Sequence, residues 1–259
     1  MQNILVTSDL SDRSRPAITR AVNLAVDCGA ELDVLSVVNE DVPDTLSRAL
    51  ELGAAAILKE QVEEDLQGRA LTYRIQVETG DPLALISERA AQDDIHLLVV
   101  GAHRRRRFLD QVRETTVEHI IRSSRTPVLM VSTDYGGPYG SVLAGTAFSK
   151  TCRSLVKMIP QVASGAALAL FHAHAVSFRN EAANEFDTWT SVYGLPKTLP
   201  EPVFYEGPPQ DAVATLMAAG TYDLLAIGGH TKADGGRYFT GRFTADLVRT
   251  PPCDLLIAK

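Results

Sequence analysis

The chain has 259 residues, 45% of them hydrophobic, and a formal net charge of −7. That length and apolar content suit two compact units with cores of their own. The acidic balance argues against a general nucleic-acid binder, whose affinity rests on neutralising phosphates. Cys28, Cys152 and Cys253 lack CxxC spacing and read as free thiols in a reducing compartment. No apolar run is long enough to span a bilayer, and the first strand starts at residue 3 or 4. A soluble cytoplasmic protein without a signal peptide is therefore expected, with no membrane and no nucleic-acid partner.

Residues 4–7 form a short apolar strand, followed by polar turn residues 8–11. Pro16 suits the first turn of a helix, with Ala17, Ala21, Leu24 and Ala25 on one face and Gly29 as its stop. Strand two is 32–38. A long helix spans 45–67, with Leu46, Leu50, Ala54, Ile57 and Leu58 on a face assigned to the core. Strand three is 73–77. Asp81-Pro82 opens helix three, whose Leu83, Ile86 and Ala90 face the sheet. The stretch 96–131 then reads as an apolar strand ending at Gly101, a basic loop, a helix and an apolar strand at 128–131, which is a βαβ crossover. Ligands of such sheets bind beyond the carboxyl ends of the strands. The turn-rich stretch 134–140 separates a domain at 1–133 from one at 141–259.

The second domain repeats the first. Gly101 matches Gly228 and Gly80 matches Gly207, both 127 residues apart (228 − 101 and 207 − 80). ILVTSDLSDRSR at 4–15 aligns with VLAGTAFSKTCR at 142–153, and GAELDVLSVV at 29–38 with GAALALFHAH at 165–174. Four blocks in one order make a tandem duplication. Its strands are expected at 167–172, 203–205, 224–227 and 254–258, and its helices at 180–192, 211–219 and 241–249. The fold class is α/β: two tandem doubly wound domains, each a five-stranded parallel sheet with helices on both faces.

The opening 4–11 and the closing strand–GxHxR–loop–helix–PV–strand segment resemble the universal stress protein family, in its tandem two-domain type. The resemblance implies an adenine-nucleotide α-hydrolase-like fold. It also implies a pseudo-two-fold pairing of the two strand-five segments, Val128–Val131 and Leu255 to Ala258, which would hide two apolar edges. A homodimer is a further assembly it allows. Nucleotide-binding members carry Gly, two residues, Gly, nine residues, Gly, then Ser or Thr after strand four, where bare backbone approaches phosphates. Copy one keeps Gly101 and Thr115, followed by Thr116, but has Arg104 and Glu114 at the other glycines and Arg107 at a spot commonly glycine. Copy two keeps Gly228 and Gly241, with Thr231 at the middle glycine and Arg242 at the hydroxyl position. By the same resemblance Asp9 lies at the adenine-ribose end and Val37 beside the base, and Ser8 next to Asp9 is a further candidate ligand-binding residue. Ala147 replaces the acid in copy two.

Arg104 and Arg107 read either as an anion clamp or as a solvated loop neutralised by Asp110 and Glu114. His103 and His230 occupy matching loop positions and suit a loop hydrogen bond. His172 and His174 share one face of a strand with no third metal ligand evident, which favours a strand-end structural role. No nucleophilic triad and no acidic pair beside Asp9 is apparent. The expected function is a non-enzymatic stress-response protein binding a small ligand or protein partner, with no catalytic or metal residues. The alternative is an ATP- or AMP-binding switch using domain one or the glycine-rich loop of domain two. An ATP-splitting enzyme is a third class, and SDLSDR lacks the Ser-Gly-Gly loop such enzymes carry.

Overall fold

The computed structural model describes residues 1–102, 116–176, 178–229 and 242–259. The chain divides into two compact units, Met1–Pro138 and Tyr139–Lys259. In unit 1 the elements run β1 (Asn3–Ser8), α1 (Arg15–Cys28), β2 (Glu31–Asn39), α2 (Asp44–Leu66), β3 (Tyr73–Gly80), α3 (Pro82–Ala90), β4 (Leu97–Gly101), α4 (Thr116–Ser123) and β5 (Val128–Val131). Its sheet is parallel in the order β3-β2-β1-β4-β5. In unit 2 they run β6 (Ser141–Gly145), α5 (Lys150–Val162), β7 (Ala167–His174), α6 (Arg179–Val192), β8 (Val203–Glu206), α7 (Pro209–Ala219), β9 (Leu224–Gly228), α8 (Arg242–Arg249) and β10 (Asp254–Ala258). The same parallel order recurs as β8-β7-β6-β9-β10.

Strands β4, β5, β9 and β10 are near-continuous apolar runs, as expected where helices cover both faces of a sheet. Ile4, Leu5, Val6, Leu97, Leu98 and Val99 are wholly buried in unit 1. Leu224, Leu225 and Ala226 take the corresponding place in unit 2. Pro16 sits in the first turn of α1, and Gly29 ends the helix in the left-handed region at φ 63°. Gly165, its counterpart, has φ 76°. Asp81 caps α3 by accepting the Ala84 amide on Oδ1 at 2.7 Å. Strands β3 and β7 run further than their apolar patterns suggested, to Gly80 and His174, because ladder pairing continues through the polar ends.

One expectation fails. Leu46, Leu50 and Ile57 of α2 are 55%, 47% and 46% exposed rather than in the core. The buried stripe is Ala54, Leu58, Val62 and Leu66. Ser47 continues that stripe into the first turn of α2. At about 100° per residue, Leu46, Leu50 and Ile57 fall to one side of the stripe and turn toward solvent.

Asp33 on β2 is buried, and no apolar pattern anticipated it. It accepts from Arg74 Nε (3.1 Å) and Nη2 (2.8 Å), from Asn3 Nδ2 (3.5 Å) and from Arg89. Arg89 is buried too and also bonds Asp94 at 2.9 and 3.0 Å. This network ties α3 to the sheet. It matters to function because α3 walls the cavity described next.

Candidate functional site

In unit 1 the strand order reverses direction at β1, with β2 on one side and β4 on the other. A crevice forms at the carboxyl ends of strands at such a switch point. Here it is a cavity of about 310 Å³. Leu35, Val37, Ile86 and Ile120 give it apolar walls, while Ser8, Asp9, Arg13 and Ser14 supply polar groups.

The turn from β1 into α1 builds the polar side. Asp9 Oδ1 accepts from the Ser11 amide (3.0 Å) and the Ser11 hydroxyl (2.6 Å), an Asx turn that carries the chain through Leu10 at φ 60°. The Leu10 amide donates to Ser8 Oγ at 3.1 Å. The Ser14 hydroxyl donates to Ser11 O at 2.9 Å, so the 2.9 Å contact between Ser8 and Ser14 is donated by Ser8. Ser14 and Ser8 are both buried. A bulky residue held in the left-handed region is strained and persists only where its surroundings fix it. Burial pushes the Asp9 carboxyl up, but the bonds from the Ser11 side chain and amide outweigh it and hold its pKa below the ordinary value. Asp9 is a carboxylate at neutral pH.

Gly101 closes β4 against this turn. A β-carbon there would stand 2.7 Å from Arg13 O and 3.2 Å from Ser14 Cα. The glycine therefore admits the backbone of the turn. The next amide, of Ala102, donates to Val131 O at 2.7 Å and belongs to the sheet.

The cavity brings together Ser8, Asp9, Val37 and Gly101. Gly228 takes the matching strand end in unit 2, where a β-carbon would meet only the side chains of Thr151 and Cys152, at 3.3 and 3.5 Å. His103, Arg104, Arg107, Thr115, His230, Thr231 and Gly241 lie outside the described residues. Thr116 and Arg242 are the first residues of α4 and α8, and their side chains also lie outside the description. Arg13, Ser14, Ile86 and Ile120 were missed by sequence reasoning. The signal for Arg13 and Ser14 was position alone, within the turn at the carboxyl end of the first strand.

Unit 2 differs at these places. Ala147 stands for Asp9, Thr151 for Arg13 and Cys152 for Ser14. Phe148, the counterpart of Leu10, keeps a positive φ of 53°. It stacks on His172 with ring centroids 4.3 Å apart, and Trp189 on α6 donates to Ser149 O at 3.0 Å. His172 Nδ1 contacts Thr146 O and His174 Nδ1 contacts Ala175 O, each at 2.8 Å. Burial lowers the His172 pKa. Among the described residues no group of three His, Cys, Asp or Glu is placed to hold a metal ion.

The architecture so far is that of a tandem doubly wound α/β protein with a small-molecule-sized cavity at one switch point. The model of the universal stress protein family matches residues 1–132. The chain belongs to that family. It is also similar in structure to a universal stress protein from Archaeoglobus fulgidus DSM 4304, with a TM-score of 0.80 at 18% identity, covering 99% of this chain and 98% of that one. A functionally unknown protein from Pseudomonas aeruginosa PAO1 matches with a TM-score of 0.66 at 18% identity, covering 99% and 92%. At such identities the likeness is one of fold. No curated protein sequence matches the chain.

Proposed function

We propose that this universal stress protein is a non-enzymatic stress-response protein that binds a small ligand in the cavity of unit 1. The cavity itself carries the reading. Its volume of about 310 Å³ falls within the range of small-molecule sites, and mostly apolar walls with a few placed polar groups are what such sites require. The hydroxyls of Ser8 and Ser14 bond to each other and to the backbone, with no histidine among the described lining residues to activate them. That favours binding over turnover.

The alternative reading is an adenine-nucleotide switch. The placement of Asp9 and Val37 on the same cavity favours it. Native mass spectrometry of the chain as purified, followed by calorimetry with ATP and AMP, tests both. One retained ligand per chain without release of ADP, AMP or pyrophosphate supports the first reading. Tight one-to-one ATP binding at physiological Mg²⁺ selects the second. Turnover above blank removes both.

Two further parts of the proposal rest on the sequence. VLMV at 128–131 and LLIA at 255–258 are wholly apolar, and an unpaired apolar edge invites association, so each is read as the other's partner within the chain. No helix among the described residues is long and apolar enough to cross a membrane, and work in the cytoplasm fits the free cysteines.

A further inference from the structure

The cavity has a cation that the fold does not use. Arg13 lies half-buried on its wall. Among the described residues its guanidinium makes no hydrogen bond, ion pair or ring contact. Other arginines of unit 1 are committed: Arg15 to Asp65, Arg20 to the carbonyls of Tyr135 and Gly137, Arg74 and Arg89 to Asp33. Guanidinium groups carry five donors and stay charged. An arginine on a cavity wall with its donors unspent is poised for an anion.

Among the described lining residues Arg13 is the one cation, and Thr7 adds only a neutral hydroxyl. The Ser8 and Ser14 hydroxyls donate within the turn, and the Ala102 amide donates to the sheet. Asp9 is a carboxylate and turns an anion away from its own side. The turn that carries Arg13 is pinned by Asp9, Ser8 and Ser14 and seated on Gly101. The backbone that carries the cation is therefore in place before any ligand arrives, which leaves only the Arg13 side chain to be ordered on binding. Unit 2 supplies an internal comparison, since Thr151 and Ala147 leave its matching turn without either charge.

We infer that Arg13 receives the anionic group, a phosphate or a carboxylate, of a ligand whose apolar or planar body rests on Leu35, Val37, Ile86 and Ile120. One such ligand binds per chain, in unit 1. The inference rests on the reading of this cavity as a ligand site. In a chain with a net charge of −7, an anion needs a local cation to be held.

Isothermal titration of the full chain with AMP, adenosine and 1-naphthoate tests it. AMP and adenosine share a body and differ in the phosphate, and naphthoate offers a carboxylate. The expected result is that at least one anion binds one per chain and loses about tenfold to hundredfold in affinity in Arg13→Gln, with Arg13→Lys retaining part. Adenosine should be insensitive to either change. Dependence on Arg13 for AMP alone assigns a phosphate, and for naphthoate alone a carboxylate. If the anions bind Arg13→Gln as tightly as wild type, the inference falls and the cavity reading stands. If no probe binds wild type, both fall.

Discussion

Gly101→Ala is the sharpest test of how the site is assembled. The new β-carbon would lie 2.7 Å from Arg13 O and 3.2 Å from Ser14 Cα. Non-bonded heavy atoms settle at about 3.5 Å or beyond, so the overlap is roughly 0.8 Å and falls on main chain. Overpacking of this kind costs about 1–3 kcal/mol. Replacing a strand glycine returns about 0.5–1 kcal/mol of backbone entropy. The net expectation is a loss of about 1–2 kcal/mol and a displaced Arg13 turn. Gly228→Ala is the matched control. Its β-carbon would meet only the Thr151 methyl at 3.3 Å and the Cys152 sulfur at 3.5 Å, side-chain atoms that can yield, so its net change should stay within about 0.5 kcal/mol of zero. Urea unfolding followed by far-UV circular dichroism gives the midpoints, with an unchanged slope required. Trp189 is the chain's only tryptophan and belongs to unit 2, so its fluorescence separates damage in unit 1 from damage elsewhere. A wild-type midpoint for Gly101→Ala, or a larger loss for Gly228→Ala, would refute the reasoning.

Asp33→Ala should destabilise by about 3 kcal/mol, because it leaves Arg89 buried with only Asp94 as an acidic partner; a shift under about 0.5 kcal/mol in urea unfolding would mean that the network contributes nothing. The folded pKa of His172 is depressed by burial, so the unfolded state binds the proton first. Its stabilisation is fully present above the unfolded value near 6.5 and is lost as pH falls through the folded value; an NMR titration should find its ring titrating below the ordinary histidine range, and a normal or raised midpoint would contradict this. Leu46→Gln and Ile57→Gln should each change stability by less than about 0.5 kcal/mol, whereas a core-sized loss in the same urea assay would return that side of α2 to the interior.

The strands were legible because a run such as LLVVG, buried on both faces, leaves no ambiguity between in and out. The helix ends at Gly29 and Asp81 were legible because each has one local job, a left-handed stop and a cap. The α2 face was not. Leu46 and Leu58 differ by about 120° on a helical wheel, and their shared apolar character did not say which of the two directions would meet the sheet. The Asp33–Arg89 pair was hidden for another reason. Its partners are 56 residues apart, and an acid inside LDVLSVV gives no hint of the cation it will meet. At the site, Ser8, Asp9 and Val37 were named through the family resemblance, and the cavity lining includes all three. Arg13 could not be named so, because its significance lies in what it fails to contact.

Comparing the two copies separates packing from recognition. Leu10 and Phe148 share a positive φ, at 60° and 53°. Gly29 and Gly165 share the left-handed helix stop, and Gly101 and Gly228 the carboxyl end of the fourth strand, pressed by main chain at Gly101 and by side chains at Gly228. Each of these pairs has a complete explanation within its own unit: a turn to be made, a helix to be stopped, a neighbour to be admitted. Asp9 and Arg13 have no counterparts, since Ala147 and Thr151 stand in their places. The second copy folds the same turn with Ser149 capping α5 through the Cys152 amide at 3.2 Å and without either charge. The turn therefore does not need the guanidinium of Arg13 to form. A charge that one copy carries, that the fold does without in the other, and that meets no partner among the described residues is open to a group from outside the chain, and Arg13→Gln tests that.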